Sequence, residues 1–281
     1  MDKYQLSNGL KLPIIGFGTW KLKNNEDTIE IIKNAVNCGY RLFDTASAYG
    51  NEEAIGKGLK ISNINRKELF ISGKLWNEDR GYDNIISACK KTINALDCEY
   101  LDMYLIHWPA SKAVHENWQE INEETWRAFE YLYQEGLVKS IGVCNFKKNQ
   151  LEALLKTAKI KPMVNQIEYH IGYMQEETVK YCQENNILIE AWSPLGSGKM
   201  LKVEDLNNMA KKYNVSTANL CLKWCIQNKI LPLPKSKNLE RMQENINCLD
   251  FEISKEDMTI LNEMPFVGGL ALDSETITLF G

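Results

Sequence analysis

The feature that most constrains this chain is an alternation running its whole length: short apolar runs that stop abruptly, each followed by a stretch of helical periodicity. Eight such runs stand at 14–19, 41–44, 69–74, 103–107, 140–144, 163–167, 188–191 and 230–232. Helical patterns fall at 28–38, 52–59, 83–96, 123–135, 148–157, 175–184, 203–213, 217–227, 239–245 and 255–263. In the first of these, Ile29, Ile32, Ala35 and Val36 share one face, as an amphipathic helix requires. Runs this short and this continuously apolar read as strands buried on both faces, and a helix after each makes them parallel. Eight units predict an α/β fold, a single (β/α)8 TIM barrel, in preference to an open doubly wound sheet. An N-terminal β-hairpin comes first, with Ser7-Asn8-Gly9 turning between 4–6 and 10–12, and a C-terminal loop, 265–281, comes last. No Pro/Gly/Ser-rich break or charge block interrupts the pattern, so 1–281 is expected to form one barrel domain.

A barrel gathers its strand ends at one rim, which makes the residues at those ends informative. Polar and aromatic side chains replace aliphatic ones there: Thr19-Trp20, Asp44, Lys74-Leu75-Trp76, His107-Trp108, Cys144-Asn145, Gln166, Trp192-Ser193 and Lys235-Ser236. The stretch 40–56 is the densest. Its apolar strand stops on Asp44, small residues lead to Tyr49-Gly50, and a helix opens at Asn51-Glu52-Glu53. Consecutive strands would make neighbours of Asp44, Tyr49, Lys74 and His107. A buried ammonium favours a phenolate, so Lys74 is expected to lower the Tyr49 hydroxyl from about 10 towards working pH. Asp44 would keep Lys74 charged and oriented, and His107 would hold a carbonyl oxygen by a hydrogen bond. Such a set suits protonation of a developing alkoxide. Taken singly, each residue also reads as a turn cap, a wedge, a snorkelling lysine or a core histidine. Four at successive strand ends favour chemistry.

Composition removes other classes. A formal charge of −4 argues against nucleic acid or an acidic membrane as partner, and no run of apolar residues is long enough to span a bilayer. The N-terminus lacks the basic and apolar regions of a secretory signal, and the eight cysteines form no C-x-x-C pair. A cytoplasmic protein with reduced thiols and no metal is expected. Cys221 and Cys225 lie one helical turn apart without further ligands, and three histidines are too few to favour a metal-dependent barrel hydrolase. Familiar nucleotide motifs also fail. Gly16-Phe17-Gly18 continues Thr19-Trp20-Lys21 rather than completing the dinucleotide fingerprint. Gly196-Ser197-Gly198-Lys199 ends like a phosphate loop, but Ser193 and Met200 occupy required positions. His115-Glu116 lacks its second histidine, since Gln119 stands there.

The segments GFGTW (16–20), FDTASAYGNEEAIG (43–56), KLWN (74–77), LIHWP (105–109), IGVCNF (141–146), NQIEYH (165–170), WSPLGSGK (192–199), and PKS (234–236) followed by ER..EN (240–245) resemble the aldo-keto reductase family. They occur in that family's order across the whole chain, and the likeness extends to microbial members similar to diketogluconate or glyoxal reductases. The resemblance implies a (β/α)8 barrel using NADPH, with Asp44, Tyr49, Lys74 and His107 as catalytic tetrad and Tyr49 as acid. It implies that Asn145 and Gln166 bond the nicotinamide carboxamide, that Trp192 stacks on the ring, and that Thr19, Asp44 and Cys144 complete that end of the site. Ser193, Leu195 and Ser197 would lie along the pyrophosphate. Lys235, Ser236, Asn238 and Arg241 would hold the 2′-phosphate, with Glu244 and Asn245 on the adenine. Lys235, Lys237 and Arg241 form a local basic cluster in an acidic chain, which suits an anion.

Trp20, Trp76 and Trp108, with Tyr49 and His107, are expected to line an apolar pocket for a small carbonyl substrate. The 265–281 tail, with Gly268-Gly269 as hinge, would fold over its opening. Three positions depart from the family pattern. Cys144 stands where serine is common, Trp192 where tyrosine is, and Gly73 precedes Lys74 where a hydroxyl residue is common, making the backbone there more permissive. The expected activity is NADPH-dependent reduction of aldehydes or ketones by a monomer. The alternative is an NADPH-binding sensor or scaffold with negligible turnover.

Overall fold

The computed structural model describes residues 3–278. Two short antiparallel strands, β1 (Lys3–Gln5) and β2 (Lys11–Pro13), open the chain, with Lys3 opposite Pro13. Eight parallel strands follow: β3 (Phe17–Gly18), β4 (Leu42–Asp44), β5 (Phe70–Leu75), β6 (Met103–Ile106), β7 (Ile141–Cys144), β8 (Val164–Glu168), β9 (Leu188–Trp192) and β10 (Leu231–Pro232). They pair strictly in sequence order. Gly16 N–H to the Pro232 carbonyl at 3.1 Å and Gly18 N–H to Pro234 at 3.0 Å join the two ends, so the sheet closes into a (β/α)8 barrel. The helices are α1 (Glu26–Asn37), α2 (Glu52–Ile61), α3 (Tyr82–Ala95), α4 (Trp118–Gln134), α5 (Lys148–Leu155), α6 (Glu176–Glu184), α7 (Glu204–Lys212), α8 (Thr217–Gln227), α9 (Leu239–Ile246) and α10 (Lys255–Asn262).

Local chemistry explains the boundaries. Asn25, Ser216, Asn238 and Ser254 each accept a backbone N–H in the first turn of the helix they precede. The strands are buried along nearly their whole length because helices cover them outside and side chains fill the barrel inside. Trp126 and Trp224 are fully buried among the helices, their indole N–H groups donating to Ile160 O and Asn262 Oδ1. Truncating either to alanine would cost about 3–5 kcal/mol.

The structure differs from the sequence reading at three places. The helix expected from 123 begins at Trp118, because its buried Asn122 breaks the apolar stripe while exchanging two hydrogen bonds with Ala110 backbone. The run 14–19 contributes only Phe17–Gly18 to the ladder. Gly73 serves close packing rather than backbone freedom: a Cβ there would lie 3.1 Å from Thr92 Cγ2 and 3.3 Å from Leu101 Cδ1. Of the expected C-terminal loop, 279–281 lie outside the described residues.

Candidate active site

Strand register builds the centre of the site. Asp44, the last residue of β4, pairs with Ser72 on β5, so Lys74 two residues on projects from the same inner face. The Lys74 ammonium, 1% exposed, lies 2.7 and 2.6 Å from the Asp44 carboxylate oxygens and donates to Thr45 O at 2.9 Å. It also lies over the Tyr49 ring, 5.2 Å from its centroid, where its charge acts on the hydroxyl. Tyr49 ends a 3-10 turn (Ser47–Tyr49), and buried Asn51 anchors the loop by donating to Thr19 O and Leu22 O while accepting from Thr45 Oγ1. His107 follows β6, with its ring edge-on to Tyr49 at 5.6 Å and to Trp76 at 5.3 Å between centroids. The four residues thus meet at one point of the rim.

Burial and charge oppose each other here. Burial alone would lower the Lys74 ammonium, yet the Asp44 carboxylate and the Tyr49 oxygen raise it above its ordinary value. Tyr49 behaves differently from expectation. Burial of its hydroxyl, only partly offset by Lys74, pushes it up to about 12. The ammonium moderates the rise without reversing it, so the phenol carries its proton throughout the neutral range. Burial, aided by the Lys74 charge, drives His107 well below the usual histidine range, leaving a neutral imidazole.

Every residue assigned above to cofactor or substrate lines one cleft of about 1220 Å³, and Lys74 lies sealed beneath it. Asn145 and Ser193, which directly follow β7 and β9, have left-handed backbones (φ 61° and 49°) that turn the chain sharply at the rim. Asn145 Nδ2 donates to His107 O at 3.0 Å, and its Oδ1 accepts from the Trp192 indole at 2.9 Å, fixing the indole as one wall. Cys144, buried beside them, keeps its proton because burial holds its thiol well above the ordinary range. The far end is basic. Burial, then the charges of Lys237 and Lys21, lower Lys235, the mark of cations gathered without a matching anion. The N-terminus of α9, capped by Asn238, opens beside them.

The sequence reading missed part of this. Lys21 joins the basic end, and the tail, expected over the opening, reaches the cleft through Leu270 and Leu272. Glu168, 1% exposed at the end of β8, accepts the backbone N–H groups of Leu270 at 2.7 Å and Ala271 at 2.6 Å. A Cβ at Gly269 would lie 2.4 Å from His170 Nε2, so this glycine permits close docking of the tail. Lys147 adds ion pairs to Asp273 and Glu275. Nothing local to Glu168 signals a partner a hundred residues away. Among the described residues, no group of three His, Cys, Asp or Glu is placed to hold a metal ion, and no helix is long and apolar enough to cross a membrane.

Comparison with known proteins is consistent along the whole barrel. The sequence profile of the Aldo/keto reductase family matches residues 14–265. Glyoxal reductase of Bacillus subtilis (strain 168) is 44% identical over 257 residues, covering 92% of this chain and 90% of that protein. The 9,11-endoperoxide prostaglandin H2 reductase of Trypanosoma cruzi (strain CL Brener) is 40% identical over 262 residues, covering 92% and 90%. A crystal structure of a Gox0644 mutant in complex with NADPH superposes with a TM-score of 0.91 at 35% identity, covering 99% of this chain and 98% of that one.

Proposed function

The chain belongs to the Aldo/keto reductase family, and on that premise we propose that it reduces small aldehydes or ketones with NADPH, Tyr49 being the proton donor. The cofactor fits what the residues offer. Lys235, Lys237 and Arg241 beside the capped start of α9 suit a phosphate dianion, which would relieve the repulsion that lowers Lys235. Asn145 and Gln166 offer amides for a carboxamide, and the Trp192 indole offers a flat apolar wall for its ring. Ser193, Leu195 and Ser197 edge the middle of the cleft, where the pyrophosphate would pass, and Glu244 and Asn245 edge its adenine end. When bound, NADPH supplies the hydride.

The observation that carries the reading is the Lys74–Tyr49 contact. The ammonium lies 5.2 Å from the Tyr49 ring centroid, and its charge favours a hydroxyl that turns its proton away from it, towards the cleft. That proton passes to the oxygen of the reacting carbonyl, and Lys74 stabilises the negative charge left on Tyr49. His107 assists as a neutral donor: its Nδ1 is sealed without a partner, so the proton belongs on Nε2. Trp20, Trp76 and Trp108 bound the carbonyl pocket. The intact tetrad favours turnover over a sensor or scaffold. Purified protein mixed with NADPH and small aldehydes or dicarbonyls should consume the cofactor. Tyr49→Phe should bind NADPH normally and lose about a hundredfold or more in kcat. Unimpaired turnover by that variant would show that the acid is another group.

A further inference from the structure

Beneath the cleft lies a carboxyl that the reaction described above does not use. Glu190, at the centre of β9, is wholly buried. It is the register partner of Gln166 on β8, so both side chains occupy the same inner face. Gln166 Nε2 donates to Glu190 Oε2 at 2.8 Å and to Asp44 Oδ1 at 2.9 Å. A side-chain amide nitrogen carries two hydrogens, and both are spent on these carboxyl groups.

We propose that Glu190 is a positioning residue that locks the Gln166 amide, leaving its carbonyl oxygen to face the cleft as an acceptor for a carboxamide N–H of the cofactor. The inference rests on the NADPH reading above. An amide has two faces of nearly equal shape, and only the hydrogen bonds around it decide which atom points where. Turned over, Gln166 would set its oxygen against two carboxyl oxygens while its N–H groups faced the cleft. Asp44 alone would oppose that flip with one contact, and it is already engaged by Lys74. Glu190 supplies the second contact from the opposite side.

The other Glu190 oxygen, Oε1, is buried without a partner. An ionised carboxylate would leave that charge-bearing atom bare, whereas a neutral acid suits the site. Burial first, then the neighbouring Asp44 charge, raises the Glu190 carboxyl to about 7, with Gln166 and Lys74 pulling the other way. At about 7 both the acid and the carboxylate are present near neutral pH, and in either form Oε2 serves as the acceptor for the Gln166 N–H, without a part in proton transfer.

The test uses binding as well as turnover. NADPH and 2′-phospho-ADP-ribose, which lacks nicotinamide, are titrated into wild type, Glu190→Met and Glu190→Gln by tryptophan fluorescence, with circular dichroism to verify folding. The methionine variant keeps the volume and loses the acceptor. It should bind NADPH about tenfold more weakly and the truncated nucleotide as wild type does. The glutamine variant, which restores an acceptor oxygen, should recover most of the loss. Equal weakening for both ligands would reveal a general structural role and overturn the inference, as would unchanged NADPH binding in the methionine variant or no recovery with glutamine. If wild type binds 2′-phospho-ADP-ribose and NADPH but reduces no carbonyl, the catalytic reading fails while this one stands. If wild type binds neither, both fail.

Discussion

Replacing Glu190 by glutamine should make the protein more stable at pH 8 and leave it unchanged at pH 4. The carboxyl is fully buried, and its folded value of about 7 stands against an ordinary 4.5. Burial is the main cause, followed by Asp44, while Gln166 and Lys74 lower it. Cys144, beside the same group, keeps its thiol proton. Because folding raises this acid, the folded chain retains a proton that the unfolded chain releases as pH rises from about 4.5 to about 7. Stability is present below that window and lost across it. An interval of about 2.5 in pH corresponds to about 3 kcal/mol. Glutamine stays neutral throughout and escapes the loss. Urea unfolding followed by circular dichroism, from pH 4 to pH 8.5, reads the two curves. They should coincide at the acid end and diverge to about 3 kcal/mol, or roughly 6 °C in Tm, at the alkaline end. Curves separated by a constant amount would refute the reasoning, since a neutral-to-charged transition could not then be occurring at residue 190.

Lys74→Met leaves Asp44 buried without its counter-charge and Tyr49 without the neighbouring positive charge, so it should cost about 3 kcal/mol and lower kcat at least a hundredfold; a folded variant with near-normal kcat contradicts the assigned role. Lys235→Ala should weaken NADPH binding about tenfold with little effect on NADH, and should flatten the salt dependence of NADPH affinity. Equal losses for both cofactors would place Lys235 away from the 2′-phosphate. Glu168→Ala removes the acceptor for Leu270 and Ala271 N–H, two charge-assisted bonds together worth about 3 kcal/mol. Limited proteolysis should then cut within 265–278 roughly a hundredfold faster, with the barrel's unfolding midpoint nearly unchanged. An unaltered cleavage rate would mean that Lys147 and the apolar contacts suffice to hold the tail.

Much of the architecture was readable in one dimension because its causes are local. An apolar run of four or five residues ended by a polar one, then a stripe at helical spacing, reports burial on both faces of a strand and one face of a helix. Eight repeats left little besides a closed barrel, and the polar residues that ended each run marked the rim. The tetrad residues, the tryptophans and the basic cluster all stood there. What required three dimensions was set by contacts distant in sequence. Glu168 meets a segment a hundred residues later, and Glu190 meets Asp44 only through the amide of Gln166. Gly73 is small because Thr92 of α3 and Leu101 before β6 would crowd a Cβ there. The Tyr49 hydroxyl was expected to fall and instead rises, because sequence reveals the charge of a neighbour but not how completely water is excluded around both. Desolvation is a property of enclosure. The chain order alone determined which groups would gather at the rim; the packing around them decided their protonation, their orientation and which contacts hold the tail over the opening.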